Sequence, residues 1–146
     1  MVKFLLDTNA LSEPIRPKPN KALMQRLRAH DGQIGITVIT WHEVVFGLER
    51  LPKGKKRDAI QAYLYDSIAP AIPIFLYDAR AAERHAHERA RLERSGKTPA
   101  FADGQIAAIA IVHDLVLVSR NIKDFKRFAG LRVADWFSPQ DAYAPR

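Results

Sequence analysis

The sequence predicts an α/β fold in which a parallel sheet is covered by helices on both faces. Three observations carry that expectation. Short apolar runs alternate along the chain with longer stretches of helical periodicity. The runs are apolar throughout, as strands buried on both faces should be. The 146 residues are 47% apolar, which suits one core, and no internal repeat, linker or low-complexity tract divides them.

The elements follow in order. Val2–Leu6 is an apolar run that ends in a carboxylate, and it reads as a buried strand. Asn20 is placed to cap a helix through about His30, with Leu23, Met24 and Leu27 on one face. Gln33–Thr37 reads as a second strand. Thr40 is then a candidate N-cap, with Glu43 three residues on as in a capping box, and Val44, Val45, Leu48 and Leu51 carry the helix towards Pro52.

Lys53–Arg57 forms a basic loop before a helix from about Asp58 to Ser67. Ile72–Leu76 is a possible short strand, weakened by Pro73. Asp78 caps a long charged helix to Arg94, which Ser95-Gly96 stops. Asp103 begins a further helix with Ile106, Ala107, Ile109 and Ala110 facing inward. Leu115–Val118 and the brief Leu131–Val133 supply the last two apolar runs.

Composition narrows the function. There is no cysteine, which excludes disulfides and thiolate metal sites and fits a reducing, cytoplasmic setting. The first apolar run is too short for a signal peptide and meets Asp7 at once, and no stretch approaches a bilayer span. The formal charge of +7 attracts polyanions, of which nucleic acid is the commonest.

Three acidic residues share one setting. Asp7 follows the first strand; Glu43 and Asp103 lie in first turns of predicted helices. In an open α/β sheet, the crevice beyond the carboxyl ends of the strands is where ligands bind. Singly, Glu43 and Asp103 are explained as helix caps. Asp7 is harder to dismiss, since a carboxylate ending a buried strand needs partners to offset desolvation. Together they favour a site, because clustered carboxylates repel unless a cation neutralises them. Hard oxygen ligands select Mg2+ or Mn2+ rather than zinc.

The segment Ser119–Phe125 reaches the same edge. Asp124 is a candidate fourth carboxylate, with a turn or cap as its plain alternative. Ser119 and Asn121 are candidates to orient Asp7 or hold water there, or else to satisfy the loop backbone. Asn9 either orients Asp7 or forms an Asx-turn. Other signals are structural: Gly96-Lys97-Thr98 lacks a phosphate-loop context, His42-Glu43 lacks a second histidine, and His85 and His87 point to different helix faces. Of the basic residues, Lys53, Lys55, Lys56 and Arg57 are the better phosphate candidates. Arg84–Lys97 is interleaved with Glu83, Glu88 and Glu93 and reads as a solvated face laced with ion pairs.

On these residues the chain resembles the PIN-domain nucleases, particularly VapC-type toxins of toxin–antitoxin pairs. The matching segments are Leu5-Leu6-Asp7-Thr8-Asn9, Thr40 to Glu43 with Gly47, Ala102-Asp103-Gly104-Gln105 and Ser119-Arg120-Asn121 through Asp124. Leu11–Pro14 and Lys53–Lys56 are similar to the FitB-like branch. Asn121 stands where the family often carries a carboxylate, so the fourth acidic role falls to Asp124 or is missing.

The resemblance implies a single PIN-like domain over residues 1–146, three-layer α/β/α with about four to five parallel strands. It implies metal-dependent cleavage of RNA through Asp7, Glu43, Asp103 and Asp124, with Thr8, Asn9, Ser119 and Asn121 around them, and Arg120 beside the basic loop as an RNA contact. It also implies homodimers and a VapB-like antitoxin, through which alone DNA would be met. Two other classes stay open: a non-catalytic nucleic-acid-binding or regulatory protein, and a DNA nuclease or phosphatase using the same carboxylates.

Overall fold

A computed structural model describes residues 1–139; positions 140–146 of the expected domain lie outside the described residues. Five short strands form one parallel sheet: β1 (Phe4–Leu6), β2 (Ile34–Thr37), β3 (Ile74–Phe75), β4 (Val116–Val118) and β5 (Arg132–Ala134), in the order β3-β2-β1-β4-β5. Among the described residues seven α-helices surround it: α1 (Thr8–Ser12), α2 (Lys21–Ala29), α3 (Val38–Glu49), α4 (Lys55–Ala62), α5 (Ala79–Arg94), α6 (Phe101–Val112) and α7 (Ile122–Phe125).

Alternation along the strands divides the core into two layers. Phe4, Leu6, Ile34, Ile36, Val116 and Val118 face one side, where they meet Leu23 of α2, Val44 and Leu48 of α3, and Leu64. Leu5, Leu117 and Val133 face the other side and pack against Ala81 and Leu92 of α5 and the Ile106–Ala110 stretch of α6. Both faces are therefore buried, and the fold is the expected three-layer α/β/α. No helix among the described residues is long and apolar enough to cross a membrane.

The strand order fixes where a ligand can bind. From β1 the chain builds outward through β2 and β3, then returns to the opposite edge of β1 to lay down β4 and β5. The reversal leaves a crevice at the carboxyl ends of β1 and β4. The register Leu6↔Val118 brings those ends level, and the Asp7 N–H donates to the Val118 carbonyl at 3.0 Å.

Several boundaries differ from the sequence expectation. Thr37, not Thr40, caps α3: its hydroxyl accepts from the Thr40 N–H at 3.1 Å, and both threonines are fully buried. Glu43 consequently lies in the second turn and is no capping-box partner. The helix expected from Asp58 begins at Lys55, after Gly54 at φ 156°, a left-handed-side conformation that suits glycine. It runs on through a single wide turn, Tyr63–Ile68. Pro73 restricts β3 to two residues, while its carbonyl still accepts from the Ile36 N–H at 3.0 Å. Asn20 and Asp78 cap α2 and α5 as expected.

The charged helix α5 is not simply a solvated face. Glu88 is 2% exposed. It pairs with Arg91 at 2.8 Å and accepts from the Ala129 N–H at 2.7 Å. Arg91 and Arg84 in turn donate to the Arg127 and Ala129 carbonyls, at 2.8 and 2.7 Å, so this part of α5 clamps the segment following α7.

Candidate active site

Asp7 leaves β1 in extended backbone and becomes the N-cap of α1, its Oδ1 accepting from the Ala10 N–H at 2.9 Å. The Ser119 side chain also hydrogen-bonds the carboxylate. Ser119 is fully buried, and its Oγ accepts from the Asn121 N–H at 2.9 Å, which leaves its single proton for Asp7. Burial raises the Asp7 pKa above the usual carboxylate range, and the nearby Glu43 charge adds to it, while the Ala10, Ser119 and Asn9 hydrogen bonds oppose the rise.

Glu43 projects from α3 over the start of α1. There the Thr8 hydroxyl donates to its Oε2 at 2.6 Å, occupying one oxygen. Asp103 sits in the first turn of α6, where the backbone N–H groups and the dipole favour an anion. Its pKa is nevertheless raised, first by burial and then by the charges of Asp124, Glu43 and Asp7, with Arg127 opposing. Asp103 is therefore close enough to feel three other carboxylates, each from a separate element, at the carboxyl edge of the sheet.

Asp124 belongs to this group through its charge, and its side chain is held by Arg127 at 2.9 Å. Asn121 occupies the N-cap position of α7 with no side-chain capping bond; it contributes its backbone N–H to Ser119. Asn9 is exposed, and its backbone N–H, rather than its side chain, is what reaches Asp7.

Of the expected phosphate contacts, Arg57 is committed elsewhere. Its guanidinium donates to the carbonyls of Leu48, Glu49 and Leu51 at 3.1, 3.3 and 2.8 Å, closing the C-terminal end of α3. Arg120 lies over the Phe137 ring, 4.6 Å from its centroid. Lys53, Lys55 and Lys56 are exposed. Lys56 also lines an apolar cavity of about 740 Å³ that runs from Thr8 and Glu43 past Val44, Leu48, Ile60 and Tyr63. No sequence signal marks this cavity, because its walls come from two separate stretches of the chain, Thr8–Pro17 and Glu43–Leu64.

The donor set is made only of oxygens, which suits a hard divalent cation. Among the described residues no three acidic or histidine side chains close into a ready coordination shell. The raised pKa values of Asp7 and Asp103 show instead a group of anions whose repulsion and burial a cation would relieve. The residues fit a divalent ion in chemistry and charge.

A parallel α/β domain with half-buried carboxylates at the switch point of its sheet defines the class: a three-layer scaffold that gathers acidic residues at one edge. Comparison with known proteins makes the class specific. The PIN domain family matches residues 4–131, and the chain belongs to that family. It is 32% identical over 136 residues to the tRNA(fMet)-specific endonuclease VapC of Shigella flexneri, covering 93% of this chain and 99% of that protein. It is 36% identical to Toxin FitB of Neisseria gonorrhoeae over 84% of this chain and 90% of the toxin. The crystal structure of FitAcB from Neisseria gonorrhoeae contains a chain that superposes with a TM-score of 0.83 at 33% identity, covering 92% of this chain and 98% of that one.

Proposed function

We propose that this protein is a divalent-metal-dependent endoribonuclease, the toxin of a toxin–antitoxin pair, with Mg2+ or Mn2+ as its cofactor and RNA as its substrate. The observation that carries the proposal is the mutual electrostatic influence of Asp103 with Asp124, Glu43 and Asp7, brought from four elements to one crevice. The family relatives support it: similar proteins are a VapC endonuclease and the FitB toxin, and a similar chain occurs in the FitAcB structure.

Asp7 and Asp103 are the residues that would hold the cation, with Asp124 at the margin of the same group. A bound divalent ion supplies charge neutralisation at the scissile phosphate and lowers the pKa of water at the site. The chain's own part is positional. Ser119 and the Ala10 N–H fix the Asp7 carboxylate, and Thr8 fixes one oxygen of Glu43 so that the other is free to orient the attacking water. Arg127 holds Asp124 and offsets part of the negative charge around Asp103.

A VapB-like antitoxin is the expected inhibitor, and DNA would be met only through that complex. A homodimer in the cytoplasm is the expected form. The test is cleavage of structured RNA by the purified protein and its Asp7→Asn variant, in magnesium, manganese or chelator. Cleavage that needs both metal and Asp7 supports the proposal. Equal products from the two proteins refute it. Saturable RNA binding without product by the wild type would favour a non-catalytic binding protein.

A further inference from the structure

We propose that the cleft between the α5–α6 loop and α7 is the track that holds the phosphate backbone of the RNA on its way to the carboxylates, a role for which the Lys53–Lys56 segment is the obvious rival. This deepens the nuclease proposal and rests on it for the identity of the polyanion. The cleft has a volume of about 530 Å³ and is lined by Gly96, Lys97, Thr98, Lys123, Lys126 and Arg127. Its lining contains four cations and no acidic residue.

Lys97, Lys123 and Lys126 are exposed, and no carboxylate pairs with any of them among the described residues. Ordinary solvated surface helices pair such lysines with acids three or four residues away. Here Lys123 and Lys126 stand three apart, in and just after α7, while the one acid between them, Asp124, is engaged by Arg127 at 2.9 Å. The cleft's positive charge is thus left over after the local ion pair is made.

The cleft is also built rather than loose. Gly96, at φ 74°, ends α5 in the left-handed conformation, and the Gly96 and Lys97 N–H groups bond back to the Glu93 and Leu92 carbonyls at 3.0 and 2.9 Å. On the facing wall, the carbonyl of Arg127 is tied to Arg91 at 2.8 Å and the adjacent Ala129 N–H to Glu88 at 2.7 Å. Both walls are therefore anchored to α5, which fixes the width between them.

Arg127 joins this cleft to the catalytic group, since it lines the one and holds Asp124 of the other. A strand whose phosphates lie along Lys97, Lys123 and Lys126 is delivered to Asp103 at the start of α6. The rival segment offers less charge at its cavity: Arg57 is consumed by the end of α3, and of the three lysines only Lys56 lines the cavity that reaches Glu43. Phosphate contacts of this kind position the nucleic acid without reading its sequence.

The test measures binding of a fluorescently labelled single-stranded oligoribonucleotide in chelator across a range of potassium chloride. It compares the wild type, the K97A/K123A/K126A variant and the K53A/K55A/K56A variant. The cleft variant is expected to bind at least about tenfold more weakly at low salt. Its slope of log affinity against log salt should be shallower by about 2, from three lost phosphate contacts at about 0.7 each. The K97R/K123R/K126R variant should restore both, which separates lost charge from lost folding. Unchanged affinity and slope in the cleft variant, with loss in the Lys53–Lys56 variant, would overturn the proposal. Tighter binding of duplex DNA than of RNA through the same lysines would overturn the RNA assignment. A wild type that cuts with metal and Asp7 but keeps its slope in the cleft variant refutes only this track. A wild type that never cuts, yet loses RNA with the cleft lysines, refutes the nuclease and keeps the track.

Discussion

Replacing Glu88 with alanine should expose how strongly the site's scaffold depends on a buried charge. Glu88 is 2% exposed, and its Oε1 meets both Arg91 at 2.8 Å and the Ala129 N–H at 2.7 Å. The substitution leaves the Ala129 N–H without its acceptor, which costs about 1–2 kcal/mol, the low end for a stranded donor because Ala129 is exposed and water reaches it in part. Lost packing of the buried stem adds roughly 1 kcal/mol. The half-exposed Arg91 can turn to water, so the full cost of a stranded buried cation does not apply. A total of roughly 2–3 kcal/mol follows. For a chain of this length that lowers the melting temperature by about 6–9 °C, measured by circular dichroism.

The pH dependence gives an independent reading. Burial raises the Glu88 pKa, but the Arg91 hydrogen bond, the Ala129 N–H and the Arg91 and Arg84 charges outweigh it and hold it below the ordinary 4.5. A lowered carboxylate pKa contributes stability that is present above 4.5 and lost as pH falls through the folded value. The gap between wild type and Glu88→Ala should therefore be widest near neutrality and narrow on strong acidification. A melting temperature within 1 °C of wild type at neutral pH, or a gap independent of pH, would refute the buried-clamp account.

Further outcomes follow from the site itself. Asp103→Asn should abolish cleavage by at least about a hundredfold, while the metal-free melting temperature stays level or rises, because the removed charge is one that Asp124, Glu43 and Asp7 repel; a clear metal-free loss would mark Asp103 as a cap. In metal-free wild type the raised Asp7 and Asp103 pKa values have the opposite sign to Glu88: their ionisation costs stability as pH rises through the carboxylate range, and added manganese should restore it at neutral pH. Thr8→Val frees Glu43 and should lower kcat about tenfold with little change in KM, read by single-turnover cleavage. Gly104→Ala places a Cβ against the His85 imidazole, which is itself held by the Tyr77 hydroxyl at 2.8 Å, and should cost about 1–3 kcal/mol on thermal unfolding.

What could be read from the sequence was whatever depends on local pattern. The apolar runs gave the strands because both sheet faces are covered, and Asn20 and Asp78 announced their helices because capping needs only a side chain and an N–H three residues away. Asp7 and Asp103 stood out as residues at element ends, and Glu43, which stood out as a first-turn acid, lies in the second turn of α3 yet still reaches their edge. Local pattern also misled. Thr40 and Thr37 are both plausible caps three residues apart, and the choice went to Thr37 because the strand ends there, fully buried. Glu88 stands at helical spacing with Ala81, His85 and Leu92, on the inner face that Glu83 and Glu93 avoid, but its partner is invisible in the sequence, since the N–H it accepts from belongs to Ala129, forty-one positions on. Arg57 looked like a free cation for the same reason: carbonyls at a helix end carry no sequence signature.

The burial of Glu88 bears on how the site is held. Asp7 and Ser119 are placed by the sheet, through β1 and β4, and Glu43 by α3 through Thr8. Asp124 is less directly placed: α7 is four residues long and is seated on the sheet through Phe125, while the Asp124 side chain stays half-exposed. Its position depends on Arg127, whose backbone is tied to Arg91, which pairs with Glu88. Glu88→Gln, which keeps shape and can still accept from Ala129, isolates that dependence from folding. It should leave the melting temperature closer to wild type than Glu88→Ala does, yet raise the manganese concentration needed for half-maximal cleavage. An Asp124→Asn change should raise it too, and the two effects should be less than additive if they act through one chain of contacts. Fully additive shifts in manganese requirement would show that Glu88 and Asp124 reach the site independently, and that the clamp on α7 serves stability alone.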